Sequence, residues 1–218
     1  MSEAADKLDH VRAEIAAAAK VARREADDVE LIAVTKGRGS VAIEALIGSG
    51  QRDFGENRIQ EALRKWLDLR ARHPDIRLHE IGQLQSNKAG DAVALFDAIH
   101  SVDRLSLVDA LAAAAVKAGR CPALYIQVNI GAEPQKGGCA IAEVPVLAAA
   151  VRERDLPLIG LMAIPPLAVE PAPFFALLAK LARNEGVTGL SMGMSSDYRA
   201  AVMLGATAIR IGSALFED

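Results

Sequence analysis

Apolar and polar positions along this chain follow two periods in turn. Over residues 3–25, Leu8, Val11, Ile15, Ala18 and Ala22 recur at three- and four-residue spacing in a stretch rich in Ala, Glu, Lys and Arg, which predicts an amphipathic helix. The run LIAVT (31–35) is short, continuously apolar and closed by Lys36, Gly37, Arg38 and Gly39, the pattern of a buried strand. Ser40 is then expected to cap a second helix reaching about residue 49. The exchange repeats, predicting strands near 53–55, 77–83, 98–103, 123–129, 158–164, 190–193 and 208–212 and helices near 57–72, 87–95, 104–118, 141–153, 172–184 and 197–204.

Regular alternation of strand and helix calls for parallel pairing through crossover helices. Eight units at about 27 residues each are close to the roughly 30 of a βαβ repeat, so an α/β fold, a (β/α)8 TIM barrel with an additional N-terminal helix, is expected. The doubly wound open sheet ranks behind it, because no GxGxxG follows the first strand. The length of 218 residues and 51% hydrophobic content fit a single domain over 1–218.

A net charge of -3 leaves no basic excess for a nucleic-acid backbone or an anionic membrane surface, so neither is expected as a partner. The longest apolar stretch, 156–169, is interrupted by prolines and a glycine and is too short to span a bilayer. With no basic region followed by an apolar one at the N-terminus, a cytoplasmic location is expected. Cys121 and Cys139 have no CxxC spacing and read as structural thiols. The four histidines form no HxH or HExxH pattern, so no metal is expected.

In barrels of this type the chemistry sits just after the strands. Lys36 follows the first strand, where partial desolvation would lower its pKa toward a nucleophilic neutral amine able to form a Schiff base; a lysine that merely snorkels to solvent is the more frequent case for a strand end taken alone. SMGMSS (191–196) and RIGS (210–213) place small residues and hydroxyls after strands seven and eight, where barrel phosphate sites commonly lie; ordinary tight turns with serine caps are the bland alternative. An amine facing a phosphate cradle is what pyridoxal 5'-phosphate (PLP) requires, and Arg210 is placed to meet its pyridine nitrogen, an interaction that weakens the ring as an electron sink.

The segments LIAVTK (31–36), FGENRIQE (54–61), HEIGQLQSNK (79–88), HSVDR (100–104), IQVNIGAEPQKGG (126–138), GLMAI (160–164), LSMGMSSD (190–197) and IRIGSALF (209–216) closely resemble the YggS/PROSC family of pyridoxal phosphate homeostasis proteins. The resemblance implies an alanine racemase-like barrel without that enzyme's second domain. It implies that Lys36 holds PLP as a Schiff base, that Asn57 and Met192 or Met194 line the pocket, that Ser195, Gly212 and Ser213 hold the phosphate, and that Arg210 faces the pyridine nitrogen. It also implies binding, buffering and transfer of PLP in the cell, with transient contact to PLP-dependent apo-enzymes. Lys136 resembles a lysine linked to a second PLP molecule; a solvated loop lysine is the preferred reading. The chain departs from the family pattern in the Gly-Arg-Gly after Lys36 and in Leu78 and Glu80 around His79, which bears on loop conformation rather than on PLP.

Other strand-end residues have structural readings: His79 as a satisfied core histidine, Asp103 and Arg104 as a helix cap and local ion pair, Asn129 as either a ring contact or a strand end. No strong catalytic activity is expected, because two-base racemisation needs a second acid/base group and only Tyr125 and Tyr198 are available as tyrosines. A vestigial racemase or small lyase, and a Schiff-base aldolase acting on a phosphorylated sugar, are the competing readings. A monomer is expected.

Overall fold

The computed structural model describes residues 3–216. Eight parallel strands, β1 (Glu30–Val34), β2 (Asp53–Glu56), β3 (Arg77–Glu80), β4 (Ala98–Val102), β5 (Ala123–Val128), β6 (Leu158–Ala163), β7 (Gly189–Ser191) and β8 (Ala208–Ile211), pair in sequence order and close into a barrel. Closure is made by β8 on β1, with Leu31 opposite Ile209 and Ala33 opposite Ile211. The crossovers carry α2 (Ser40–Gly48), α3 (Ile59–Arg72), α4 (Ala89–Leu95), α5 (Leu105–Ala118), α6 (Val144–Glu153), α7 (Ala172–Asn184) and α8 (Tyr198–Met203), between a leading α1 (Glu3–Val21) and a terminal turn α9 (Ser213–Phe216). The barrel expected from the alternation is therefore the observed fold, and the open sheet is not.

Period-2 alternation sorts each strand's side chains between the barrel interior and the helix layer. Phe54, Leu78, Ile99, Leu124, Leu161, Leu190 and Ile209 face outward into one apolar shell with Trp66, Phe96 and Phe175. Trp66 of α3 is fully buried and lies 5.0 Å from the Phe54 ring, joining α3 to β2. On α1 the buried face is Leu8, Val11, Ile15, Ala18 and Ala19, packed on α2, α8 and α9. Removing the first three of these side chains from water contributes at most about 1.5–3 kcal/mol each.

Boundaries differ from the expected ones where local geometry intervenes. The first helix stops at Val21 instead of running to 25, because Arg23 takes a φ of 57° and turns the chain. Ser40 does not cap α2: Gly39 holds the extended N-cap position and Ser40 is already helical. β3 ends at Glu80, three residues early. A Cβ on Gly82 would lie 2.2 Å from the Asn57 carbonyl oxygen, so the chain beyond β3 crosses close over the end of β2.

Candidate functional site

At the C-terminal ends of the strands a cavity of about 390 Å³ is lined by Val34, Lys36, Asn57, Ile81, Ile164, Met194, Ser195, Ser196, Arg210, Gly212 and Ser213. That volume is within the range of small-ligand sites. Seven of the eight expected binding residues share this cavity: Lys36, Asn57, Met194, Ser195, Arg210, Gly212 and Ser213. Met192 does not line it. Ser191 points inward, so its neighbour Met192 points outward and is fully buried in the apolar shell.

Lys36 is held from behind. β1 ends at Val34, and Thr35 turns outward, where its hydroxyl donates to Glu56 Oε1 at 2.6 Å. The same oxygen accepts from Lys65 Nζ at 2.8 Å and Trp66 Nε1 at 2.9 Å, while Lys65 also donates to the Thr35 carbonyl at 2.7 Å. The peptide preceding Lys36 is thus clamped between β2 and α3. Alternation then turns Lys36 inward, onto the cavity. The Lys36 residue is exposed at the rim, not partly desolvated as its position after an apolar strand suggested. The Gly-Arg-Gly that follows is ordered by contacts: Gly37, at φ 69°, donates to Glu61 Oε1 at 2.6 Å, and the Arg38 guanidinium lies 5.1 Å over the Phe216 ring. The Gly37 amide holds the Glu61 carboxyl below the usual range, with Lys65 adding to the effect.

Beside Lys36, across the β1–β8 seam, stand the two turns. Gly193 has a φ of 99°, and a Cβ there would lie 2.7 Å from Ala201 Cβ, so only glycine lets the chain fold back after β7. Met194 N–H then donates to Asp197 Oδ1 at 2.6 Å, closing the turn that presents Ser195. The amide of Ala214, in the turn after β8, donates to Ser195 Oγ at 3.4 Å, which ties the two turns together. Arg210 rises from β8 inside the barrel, 4% exposed, donating to Ser191 Oγ at 2.7 Å and to the Ala163 carbonyl at 3.1 Å. Burial lowers its pKa to about 10, so the guanidinium keeps its charge at neutral pH.

The buried amide oxygen of Asn57 finds no hydrogen-bond partner among the described residues, although it borders the cavity. An orphaned acceptor there, with an amine, a buried guanidinium and two hydroxyl-bearing turns around it, fits a polar anionic ligand with a reactive carbonyl.

Other candidates fall outside the cavity. Asn129 shapes its own loop, donating to the Glu133 carbonyl at 2.8 Å and accepting from the Glu133 amide at 3.0 Å. Lys136 is half-buried, on the Pro165 carbonyl at 2.9 Å and Glu133 Oε2 at 2.5 Å, rather than solvated. Asp103 and Arg104 pair at 2.6 Å without capping α5 by a side chain. Both cysteines are free, and burial pushes the Cys139 thiol up to about 12. His79 is the satisfied core histidine expected, buried with both ring nitrogens partnered, whereas sequence reasoning missed the Glu56–Lys65–Trp66 clamp and the His100–Ser191 contact inside the barrel. The interior residues are visible as period-2 positions once the strands are in register, while Lys65 and Trp66 meet Glu56 only through the packing of α3 on β2.

The parallel closed barrel with a lysine after β1 and two small-residue turns after β7 and β8 defines a class. Residues 7–218 match the family of the alanine racemase N-terminal domain. The chain belongs to that family and, within it, to the pyridoxal phosphate homeostasis proteins of the YggS/PROSC group. It is 43% identical over 225 residues to the pyridoxal phosphate homeostasis protein of Pseudomonas aeruginosa, covering 99% of this chain and 96% of the relative. It is 38% identical to the protein of the same name in Escherichia coli, covering 99% and 97%. Among solved structures it is similar to PipY of Synechococcus elongatus with PLP bound, at 38% identity and a TM-score of 0.83 over 98% of this chain and 100% of that one.

Proposed function

We propose that this chain binds PLP at the barrel rim and serves in intracellular PLP homeostasis as a carrier and buffer. The supporting observation is that Lys36, Arg210 and the turns bearing Ser195 and Ser213 line one cavity. The name shared by its relatives and the PLP held by PipY support the same reading.

When bound, PLP supplies an aldehyde that condenses with a primary amine, and Lys36 is the amine at the cavity. Ser195, Gly212 and Ser213 would hold the phosphate through hydroxyl and backbone donors. Arg210, which can only donate, would hydrogen-bond the pyridine nitrogen and keep it unprotonated. Asn57 and Met194 would border the ring, the thioether packing on its face.

The carrier reading is preferred to a racemase because neither tyrosine reaches the cavity. Tyr125 lies inside the barrel stacked on His100, with burial pushing its pKa up to about 12, and Tyr198 bonds Glu14 of α1. The chain acts as a single domain, a monomer in the cytoplasm that hands PLP to apo-enzymes. Among the described residues no helix is long and apolar enough to cross a membrane.

The test is to incubate the purified chain with PLP, reduce with borohydride, digest and weigh the peptides. A visible band and a pyridoxyl group on Lys36, both lost in Lys36→Ala, are expected. A colourless protein, or label on Lys136 instead, overturns the assignment. Loss of chirality from an added L-amino acid, abolished in Lys36→Ala, overturns the carrier reading.

A further inference from the structure

The barrel interior is not apolar from end to end. From β2, β3, β4, β7 and β8 the inward side chains Asp53, His79, His100, Ser191 and Arg210 form one line of hydrogen bonds. Asp53 Oδ1 lies 3.2 Å from His79 Nε2, His79 Nδ1 3.1 Å from His100 Nε2, His100 Nδ1 2.8 Å from Ser191 Oγ, and Ser191 Oγ 2.7 Å from Arg210 Nη1. His79, His100 and Ser191 are at most 1% exposed. The line starts near the N-terminal ends of the strands and finishes at the cavity wall.

We propose that Ser191, His100, His79 and Asp53 are positioning residues for PLP: a relay of fixed polarity that aims the Arg210 guanidinium from the opposite end of the barrel. The proposal rests on the reading of the rim cavity as a PLP site.

Polarity follows from donor chemistry. Arginine has no acceptor, so Ser191 Oγ accepts from it and turns its own proton to His100 Nδ1. His100 must then carry its proton on Nε2 and donate to His79 Nδ1, and His79 must donate from Nε2 to the Asp53 carboxylate. Reversing the line would set a bare His79 Nε2 against that carboxylate, or make His79 donate from both ring nitrogens and add a second charge to a core that already holds the Arg210 guanidinium. Burial first, then His79, Arg210 and Arg77, hold the His100 pKa well below the usual value, so this ring stays neutral and its tautomer is set by its neighbours.

Charged and titratable groups pack around the line, with Asp197 acting on the Arg210 end. His79 faces Asp53 from β2, Glu30 from β1 at 3.9 Å and His100 from β4; His100 faces Tyr125 from β5, whose ring stacks on it at 4.2 Å. Glu30, Asp53 and His79 sit close enough to hold a cation, but the Arg77 guanidinium already lies 2.8 Å from Glu30 and 3.5 Å from Asp53. That end of the line is an ion pair, and the carboxylate it fixes is the terminal acceptor.

The test has two arms. On the ¹⁵N-labelled chain without PLP, two-bond ¹⁵N–¹H correlation spectra at neutral pH are expected to show the proton on Nε2 and a bare Nδ1 in both His100 and His79. A proton on Nδ1 of either ring, as the other tautomer or as an imidazolium, overturns the relay, and this measurement needs no variant. In the second arm, Ser191→Ala in the PLP-loaded chain should weaken PLP binding about tenfold, the worth of one hydrogen bond, and shift the visible band of bound PLP. A variant that melts earlier but keeps band and affinity unchanged overturns the positioning role. If the unaltered chain takes up no PLP, the pocket assignment fails, while the tautomers still decide the relay.

Discussion

Glu56 and Glu80 are register partners on adjacent strands, both facing outward and both at most 1% exposed, yet their surroundings differ. Glu56 has a cation, Lys65 at 2.8 Å, plus a hydroxyl and an indole N–H on the same oxygen. Glu80 has only the Ser101 hydroxyl at 2.5 Å and the Gly82 amide at 3.1 Å, with no cation among its hydrogen-bond partners and Asp103 adding repulsion. Burial pushes its pKa up to about 8 despite those two bonds. Burial governs the Glu80 carboxyl and its two donors offset it only in part, whereas behind Lys36 one oxygen of Glu56 gathers three donors and the other, Oε2, has no hydrogen-bond partner among the described residues.

The most severe way to break the contrast is Glu56→Ala. Lys65, Trp66 Nε1 and the Thr35 hydroxyl would be left buried without their common acceptor, so a loss of about 3–5 kcal/mol is expected in chemical denaturation. Glu56→Gln keeps an acceptor and loses the charge; a loss of about 1–3 kcal/mol should separate the ion pair from the hydrogen bonds.

The next test is by pH. Glu80 is protonated in both states below about 4.5. As pH rises the unfolded chain ionises first while the folded one holds its proton to about 8. Its contribution therefore falls steadily between those values and is constant above them. In Glu80→Gln that slope should vanish, and the difference between the two stability profiles isolates it from Glu30, which burial shifts in the same direction. A difference profile that is flat from pH 4.5 to 8 would contradict the assignment. At pH 5 the same substitution mimics the acid and should cost under about 1 kcal/mol. The smallest effect belongs to Glu61→Gln, a partly exposed partner of Lys65 and Gly37, at a few tenths of a kcal/mol.

Strand number, closure and most of the rim were legible in the sequence because a buried parallel strand is a short apolar run and its next residues are, by topology, the rim. Alternation from inward Ser191 sends Met192 outward, and the turn at Gly193 (φ 99°) then breaks that parity so that Met194 reaches the cavity. Position alone left Lys36 open between a desolvated and a solvated amine, and the exposed rim position decides for the second. The interior relay was not legible: His100 and Ser191 are 91 residues apart and meet only when the sheet curls on itself. Ends of elements escaped where one residue decides them, as Arg23 does for α1 and Gly82 for the path after β3.

The pairing of β8 with β1 also orders events during synthesis. The amine at residue 36 leaves the ribosome early, and the hydroxyls and guanidinium it must face are among the last to emerge. A nascent chain therefore lacks the complete cavity until translation has passed residue 213.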